Sequence, residues 1–598
     1  RRKQGGVVGA AASKTQVPLK ARCGCWVPQP DSGAHSKSSR LPPQVKIASY
    51  GKKDYTIKKR CGVRPAGQDA GDETMKRRDF CKGLAVTFAA GTLAPAAALP
   101  QAGAATALVG RAVPDDYYTL WYRSDRCGAD LRHDYYYSDS LFDHPATEYD
   151  NQLALATLGM AAAADCTWES DQRYWMEGEV GRADHIRDAF AKLGFTEVQL
   201  FNYTHSLNDT PDTVGCAIAR KTLVRGGRQV TIIGAFLRGS GYGAEWSGNL
   251  HAGPGSAHVG FVTAARQLVE KIRAYVQASA KRQPLGTLKL WMGGYSRGGG
   301  VANLVAARLP AVLPQLEKKN TFVYTFAAPA SLTAADCPDL QQDYDNNHAA
   351  DGSLKKNWGT SNIFNIVSSG DVIPRILPAE WGFYRNGNDR FLPSTVIPEE
   401  LQALNDRSAG MEGTPMDFGR LAVSEETDAV LRSMLDLFCD RQTYYKGYED
   451  AMRCMLQCAT TRTEEEVTRG IVRDDAAVVA QLRSMELMQR FPQEKVERCV
   501  QAASALSRPV LEKLGSAVPL QAQQIVIPML AVGLCFELQP ETVQLVADFV
   551  LSTITVKGQL SGILKTVLCH FQENYITVLE AYDPADHGMT PYTRREEL

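Results

Sequence analysis

The chain has 598 residues, of which 44% are hydrophobic, and this is enough to bury a large core and to form two or more domains. Its 66 acidic and 66 basic residues cancel to a formal net charge of zero, so the composition offers no general attraction to a polyanion. A nucleic-acid partner is therefore not expected.

The N-terminal region has the composition of an unfolded extension followed by a targeting signal. Residues 1–74 contain no methionine and show no hydrophobic period, which predicts disorder. From Met75 the chain carries the basic run Lys76-Arg77-Arg78, then an apolar stretch over 83–99, then Ala-x-Ala at 102–104 or 105–107. This order is typical of an export signal of the twin-arginine type, with a membrane anchor as the alternative. We interpret Met75 as the translation start, 75–107 as the signal, and the protein as exported to the periplasm or the exterior.

Export affects how the cysteines are interpreted. The ten that follow the signal are Cys127, Cys166, Cys216, Cys337, Cys439, Cys454, Cys458, Cys499, Cys535 and Cys569. Outside the cytosol some of them are expected to pair, in a connectivity that the sequence leaves open. Cys454 and Cys458 are one helical turn apart, but no histidine or second close pair accompanies them, which favours buried thiols or separate disulfides over a zinc site.

Regular structure is predicted from about residue 150 onward. Apolar spacing predicts one helix near 153–161 and another over 180–193 that ends at Gly194. Strand-like runs follow at 197–202, 213–221 and 229–237, and a hairpin turn at 225–228 joins the last two. A further helix begins near His258, for which a structural role is favoured.

Residues 291–300 contain Gly294-x-Ser296-x-Gly298. This pattern is typical of a nucleophile elbow, in which a serine lies on a tight turn between a strand and a helix, with small residues on either side. The apolar run at 287–292 predicts the strand, and the apolar spacing after residue 300 predicts the helix. Ser296 is therefore the candidate nucleophile, and a glycine-rich turn without a catalytic role is the alternative.

A small-residue loop, Arg238-Gly239-Ser240, follows the strand-like run upstream of the elbow. Acyl transfer needs two donors aimed at the oxygen that becomes negative, and each is worth about 3 kcal/mol of barrier. We expect the amide of Arg297 to be one donor and Ser240, through its amide and hydroxyl, to be the other. A flexible loop without such a role is the alternative.

Several motifs, taken together in their order along the chain, resemble those of a known family. They are Arg238-Gly239-Ser240, Glu245-Trp246, His258-x-Gly260-Phe261, the elbow, and the run from Phe322 to Pro329. Over roughly residues 135–385 they resemble the class 3 lipases, the fungal-lipase-like branch of the α/β-hydrolase fold. The resemblance implies an ester hydrolase acting on acyl lipids, with its second oxyanion donor at Ser240.

A serine nucleophile also needs a base, and the base needs an acid to orient it, in the chain order Ser, acid, His. Asp371 lies in a tight loop after the predicted strand 363–367, and the resemblance agrees through the spacing of Asn365, Asp371 and Pro374. A loop-capping role for Asp371 is the alternative. The weaker candidates for the acid are Asp336, Asp339 and Asp343.

Three histidines, His348, His570 and His587, follow Ser296. We choose His570 as the base because residues 570–575 look like the His-x-x-Glu-x-Tyr stretch of related bacterial lipases. His348 comes too early for a strand and an acid to precede it. His587 lies in a polar tail and is the alternative.

About two hundred residues lie between Asp371 and His570, and 415–560 have the pattern of consecutive helices. We therefore predict a core over 108–395, a helical cap-like insertion over 396–560, and a return to the core over 561–598 that carries the histidine. Tyrosines and methionines of the insertion are expected to form its own core, with an acyl channel as the alternative. They are Tyr444, Tyr445, Tyr448, Met452, Met455, Met485 and Met488.

Together these features predict an exported α/β-hydrolase that has a mostly parallel sheet and cleaves carboxylic esters without a metal or cofactor. The expected partner is an acyl ester or lipid, with transient contact with lipid surfaces, and the oligomeric state is open. A non-catalytic lipid-binding or partner-binding protein on the same scaffold is one alternative. An acyltransferase that uses the same three residues is the other.

Overall fold

The computed structural model describes residues 112–124, 130–165, 183–203, 212–240, 243–254, 257–333, 360–392, 421, 424–438, 440–460, 466, 469–514, 520–544 and 562–581. All of them belong to one compact unit, Gln101–Leu598. The extension and signal predicted for 1–107 lie outside the described residues, as do His348, His587, Asp336, Asp339 and Asp343. The predicted domain boundaries stay predictions.

The strands are named in chain order. They are β1 (Asp116–Arg123), β2 (Asp130–Tyr137), β3 (Thr196–Phe201), β4 (Cys216–Arg225), β5 (Arg228–Leu237), β6 (Thr287–Tyr295), β7 (Thr321–Phe326), β8 (Leu332–Thr333), β9 (Ile363–Ser368), β10 (Phe383–Tyr384) and β11 (Asn388–Leu392). β1 with β2, and β8 with β10, form two small antiparallel pairs.

The other seven strands form one sheet in the order β11-β9-β7-β6-β5-β4-β3. The four pairings from β11 to β5 are parallel, and the two that involve β4 are antiparallel. The predicted α/β fold with a mostly parallel sheet is therefore confirmed. Because β5, β6, β7 and β9 run in the same direction, their carboxyl ends meet at one edge, where ligands bind in folds of this kind.

The β4–β5 hairpin shows why the sequence turns where it does. Arg225 pairs with Arg228, and the two residues between them, Gly226 and Gly227, have φ angles of 56° and 74°. A two-residue turn with positive φ at both positions matches the twist of the strands, and glycine adopts it without steric cost. The predicted hairpin turn at 225–228 is confirmed.

The α-helices are α1 (Asn151–Ala164), α2 (Asp184–Lys192), α3 (Gly243–Gly248), α4 (Val259–Arg282), α5 (Arg297–Val312), α6 (Ser424–Phe438), α7 (Arg441–Thr443), α8 (Glu449–Thr460), α9 (Asp475–Ser484), α10 (Gln493–Leu514), α11 (Leu520–Cys535), α12 (Gly562–Leu568) and α13 (Gln572–Ala581). A π-helical turn, Tyr444–Tyr448, joins α7 to α8. Short 3₁₀ turns occupy Asp139–Phe142, Lys318–Asn320, Ile373–Arg375, Ala379–Trp381 and Glu486–Met488.

Both faces of the large sheet are buried, as the alternation along β5 shows. Ile233 and Leu237 pack in one apolar cluster with α4 and α5, whereas Ile232 and Phe236 pack in another with α1, α2 and α13. Strands covered on both sides are apolar throughout, which is why the sequence of β5 gives a continuous apolar run. The core therefore has helix, sheet and helix layers.

Helices α6–α11, called here the helical segment, follow the sheet in the chain. Its Tyr444, Met452, Met455, Met485 and Met488 are buried in the apolar cluster that also contains α4 and α5, and Tyr448 packs partly buried against it, which agrees with the core role favoured for them. Tyr445 is 37% exposed, so the core role predicted for it is wrong. Polar contacts join this segment to residues 250–253 after α3: the Tyr444 hydroxyl donates to the carbonyl of Leu250 at 2.9 Å, and the Glu449 carboxylate accepts from the amide of Gly253 at 2.8 Å. Among the described helices, none is long and apolar enough to cross a membrane.

Six of the ten cysteines lie in described residues, and Cys216, Cys454, Cys458, Cys499 and Cys535 among them are free thiols. Cys454 and Cys458 are buried, as the sequence favoured. Burial raises the pKa of Cys454 to about 12, so its thiol stays protonated at neutral pH. Cys127, Cys166, Cys337 and Cys439 lie outside the described residues. Within the described ranges, no group of three or more His, Cys, Asp or Glu side chains is arranged to hold a metal.

Candidate active site

Ser296 lies on the turn between the end of β6 and the start of α5. Its φ and ψ are 54° and −125°, a conformation that is strained for a residue with a Cβ. A Cβ at Gly294 would lie 2.4 Å from the carbonyl oxygen of Gly298, and one at Gly298 would lie 2.4 Å from that of Arg238. Both glycines are therefore sterically required, and the turn has the geometry predicted for a nucleophile elbow.

The structure brings Ser296, His570 and Asp371 together in one chain of hydrogen bonds. His570 Nε2 lies 2.9 Å from Ser296 Oγ, and His570 Nδ1 lies 2.8 Å from Asp371 Oδ2. An ionised carboxylate only accepts, so Nδ1 carries the proton and Nε2 is left to accept from the serine hydroxyl. This is the arrangement in which an imidazole takes the proton of an attacking hydroxyl.

Asp371 is fully buried in the loop after β9, and three groups from described residues bond its carboxylate. Besides the imidazole, the amide of Ile373 donates to Oδ1 at 2.9 Å, and the hydroxyl of Tyr575 donates to Oδ2 at 2.8 Å. Burial raises the pKa of Tyr575 well above its ordinary value, and the negative charge of the nearby Asp371 carboxylate raises it further. Tyr575 therefore remains a protonated donor.

His570 lies on the turn between α12 and α13, and its side chain is 19% exposed. The hydroxyl of Tyr295, the residue before the nucleophile, donates to the backbone carbonyl of His570. The turn is therefore tied directly to the end of β6. Because the His570 side chain is partly exposed, one edge of the imidazole is open to a substrate.

Ser240 and Arg297, the predicted oxyanion donors, are joined through a third side chain. Asn249, one residue beyond α3, donates from Nδ2 to Ser240 Oγ at 2.8 Å and accepts at Oδ1 from the Arg297 guanidinium at 2.7 Å. In the same loop the guanidinium of Arg238 forms a fully buried, bidentate ion pair with Glu245 at 2.6 and 3.0 Å. These contacts fix the loop after β5 against the start of α5.

The loop also lies beside the nucleophile. A Cβ built on Gly239 would lie 3.8 Å from the Cβ of Ser296. The backbone that leads into Ser240 is therefore within reach of an acyl group attached to Ser296. The roles of the Ser240 and Arg297 amides as oxyanion donors stay predictions at this point.

His258 is the N-cap of α4, in agreement with the structural role favoured for it. Its Nδ1 accepts from the amide of Phe261 at 3.3 Å, and its Nε2 bonds the carbonyl of Asn249 at 2.9 Å. Burial and the nearby Arg297 lower its pKa to about 3, so the ring is neutral. A neutral, fully bonded imidazole supports the same loop that carries Asn249.

Sequence reasoning missed three polar side chains of this site. Tyr575 was part of the His-x-x-Glu-x-Tyr stretch, but that pattern did not indicate a contact with Asp371. Asn249 and Asp165 belong to no motif in the sequence. Asp165 follows α1 and accepts from the amide of Gly239 at 2.8 Å, a contact that only the tertiary fold creates.

Comparison with known proteins gives a family for the central part of the chain. Residues 240–381 match the family described as Lipase (class 3). The resemblance to the class 3 lipases is confirmed. The matched segment contains Ser240, Ser296, Arg297 and Asp371, while His570 lies beyond it. The family match supports lipase-type ester hydrolysis. The structure places His570, which lies outside the matched segment, within hydrogen-bond distance of Ser296 and Asp371.

Solved lipases are also similar to this chain. The triacylglyceride lipase of Rhizomucor miehei is 19% identical, over 40% of this chain and 79% of that chain, with a TM-score of 0.28. The lipase of Rhizopus microsporus var. chinensis is 15% identical, over 47% of this chain and 84% of that chain, with a TM-score of 0.26. No curated protein gives a significant match.

Proposed function

We propose that the protein is a serine hydrolase that cleaves carboxylic esters of acyl lipids through an acyl-enzyme on Ser296. The observation that carries the proposal is the continuous hydrogen-bonded chain from Ser296 Oγ through His570 to Asp371, with distances of 2.9 and 2.8 Å. A serine hydroxyl is a weak nucleophile unless a positioned base takes its proton. The strained elbow and the class 3 lipase match support the same chemistry.

In the proposed reaction, Ser296 Oγ attacks the acyl carbonyl while His570 Nε2 accepts the hydroxyl proton. The C–O bond to the leaving alcohol then breaks, and the imidazolium returns the proton to that alcohol. Water then attacks the acyl-enzyme while His570 Nε2 takes its proton, the bond from the acyl carbon to Ser296 Oγ breaks, and the imidazolium returns the proton to that oxygen as the fatty acid leaves. Asp371 holds Nδ1–H and stabilises the imidazolium at each step, while the amides of Ser240 and Arg297 bind the oxyanion.

The test is Ser296→Ala, with hydrolysis of a short-chain nitrophenyl ester as the readout. The variant should fold like the wild type and lose hydrolysis by at least about 10³-fold, because the bond-forming atom is gone. Ser433→Ala is the matched control, since Ser433 is exposed on α6 and its hydroxyl donates to the carbonyl of Ala429, in the preceding turn of the same helix. Unchanged hydrolysis in Ser296→Ala would reject the proposal.

Two finer parts of the proposal have their own tests. If an acceptor alcohol such as glycerol diverts the acyl group into a new ester faster than water takes it, the enzyme is an acyltransferase and not a hydrolase.

Export is supported by the sequence of residues 75–107 alone. Replacing Arg77 and Arg78 by lysine should keep the protein in the cytoplasm on cell fractionation, and unaltered export would reject the twin-arginine signal.

A further inference from the structure

Asp165 is a buried carboxylate that the proposed chemistry does not use. It follows α1, is 8% exposed, and accepts two hydrogen bonds from segments that flank the site. Its Oδ1 accepts from the amide of Gly239 at 2.8 Å, and its Oδ2 accepts from the side-chain amide of Gln572. Gly239 precedes Ser240, and Gln572 lies two residues after His570.

The position of Asp165 is unfavourable for the helix itself. A negative charge at the C-terminal end of a helix opposes the helix dipole, and a buried carboxylate is costly unless donors satisfy it. The helix needs only the backbone amide of this residue, which bonds the carbonyl of Ala162 at 3.1 Å. Both hydrogen bonds described for the carboxylate lead to the candidate active site instead.

The first of these bonds helps to fix one peptide plane. The amide of Gly239 is held by Asp165, while the carbonyl of Gly239 accepts from the Arg238 guanidinium at 3.0 Å. That carbonyl and the N–H of Ser240 belong to the same planar peptide group. With Gly239 held at both ends, the direction of the Ser240 N–H is fixed.

The second bond reaches the turn that carries the base. Gln572 begins α13, and its Nε2 donates to Asp165. Its Oε1 is buried and has no hydrogen-bond partner among the described residues. The carboxylate of Asp165 therefore sets the orientation of the Gln572 amide, since the reverse orientation would place two acceptors against each other.

We propose that Asp165 is a positioning residue that uses one carboxylate to align the Ser240 amide and the His570 turn with each other. The inference rests on the proposed hydrolase function. It assigns a single anchor to the two halves of the site, the oxyanion loop and the base, which come from distant parts of the chain. A shift of about 1 Å at either half is enough to cost about 100-fold in rate.

Within the part of the chain that the structure describes, the charged and titratable groups facing Asp165 are Arg238 after the end of β5, Tyr295 from β6 and His570 from the turn before α13. Burial raises the pKa of Asp165 to about 6, although the Gly239 amide, Arg238, Gln572 and His570 each act to lower it. As the pH falls through this value, one carboxyl oxygen gains a proton and becomes a donor. The other oxygen still accepts from Gly239, and the new donor can bond Oε1 of a turned Gln572, so protonation should leave the alignment largely intact, as Asp165→Asn does.

The test uses kcat and KM for a nitrophenyl ester in three variants. Asp165→Ala should lower kcat by about 10- to 100-fold with KM within about threefold, because both anchors are lost. Gln572→Ala removes one anchor and should have a smaller effect of the same kind. Asp165→Asn should stay within about threefold of wild type at pH 8, since its amide accepts from Gly239 and donates to Oε1 of a turned Gln572.

The split between kcat and KM, together with rescue by Asp165→Asn, separates positioning from a merely structural role. A merely structural role would lower stability in Asp165→Ala without a selective loss of kcat. Asp139→Ala is the control for general loss of stability, because Asp139 is a buried acid that pairs with Lys221 at 2.5 Å in the core. It should lower the melting temperature and leave kcat unchanged.

The inference is overturned by wild-type kcat in Asp165→Ala, or by equal losses in the folded Ala and Asn variants. Labelling of Ser296 by a fluorophosphonate keeps the two proposals distinct. An unlabelled wild type rejects the hydrolase itself, whereas a labelled wild type with an unaffected Asp165→Ala rejects only the positioning role. If Asp165→Ala does not fold, the Asn and Gln572 variants carry the test.

Discussion

The two sides of Ser296 are held in different ways. On the acid side, formed by Asp371, His570 and Tyr575, the carboxylate and the phenol are fully buried, and Tyr575 also accepts from the amide of Ser368 at 3.0 Å. On the oxyanion side, formed by Ser240, Asn249 and Arg297, the contacts are side-chain hydrogen bonds around the six-residue helix α3. The acid side is therefore anchored by fully buried groups, whereas the two oxyanion residues are joined through the half-buried side chain of Asn249.

This difference predicts a division of effects. Buried hydrogen bonds to a charged group contribute to stability, so damage on the acid side should appear in both unfolding and catalysis. Contacts on the oxyanion side orient amides that matter only when the oxyanion forms, so damage there should appear mainly in kcat. Residues 250–253 are bonded to α7, α8 and the turn between them, which extends the support of the oxyanion side to the helical segment.

The largest expected effect is that of His570→Ala. We expect kcat to fall by at least about 10³-fold, because no other group takes the proton from Ser296. The matched control is His133→Ala, since His133 pairs with Glu580 of α13 at 2.6 Å but lies outside the site. Steady-state kinetics on the nitrophenyl ester measure both. If His570→Ala retained a tenth of wild-type activity, the acid side would have no catalytic function.

An intermediate effect is expected for Asn249→Ala. Loss of the links to Ser240 and Arg297 should lower kcat by about tenfold, with little change in the melting temperature, because the loop rather than the core is loosened. Asn388→Ala, which removes a side chain bonded to the carbonyl of Ser361 at 3.1 Å, is the control and should leave kcat unchanged. A loss of stability without a loss of kcat in Asn249→Ala would reverse the comparison.

The smallest catalytic effect is expected for Tyr575→Phe. Removing a buried hydroxyl bonded to an ionised carboxylate should cost about 1 to 3 kcal/mol of unfolding free energy, and kcat should fall only about threefold because Ile373 and the imidazole still orient Asp371. Tyr324→Phe is the control: that hydroxyl is buried and accepts from the amide of Asp150 at 3.2 Å. It should lower stability similarly and leave kcat unchanged. Denaturant unfolding together with kinetics distinguishes the two.

The sequence predicted those parts of the site that depend on local geometry. The elbow requires Gly294 and Gly298 next to Ser296, and Asp371 and His570 follow from chain order and a short motif. Asn249, Tyr575 and Asp165 were missed because each is defined by a partner that only the fold brings near. Similarly, no strand was predicted before residue 150, whereas the structure shows β1 and β2 as an antiparallel pair in which Tyr117 pairs with Tyr136 and Tyr118 with Tyr135.

The most direct test of the central claim is covalent labelling by a fluorophosphonate, with the modified residue located by peptide mass spectrometry. The account predicts that the wild type is labelled at Ser296 within minutes and that His570→Ala, although folded, is labelled at least about 10²-fold more slowly, because the imidazole activates the hydroxyl. Labelling at another serine, or an equal rate in His570→Ala, would contradict it.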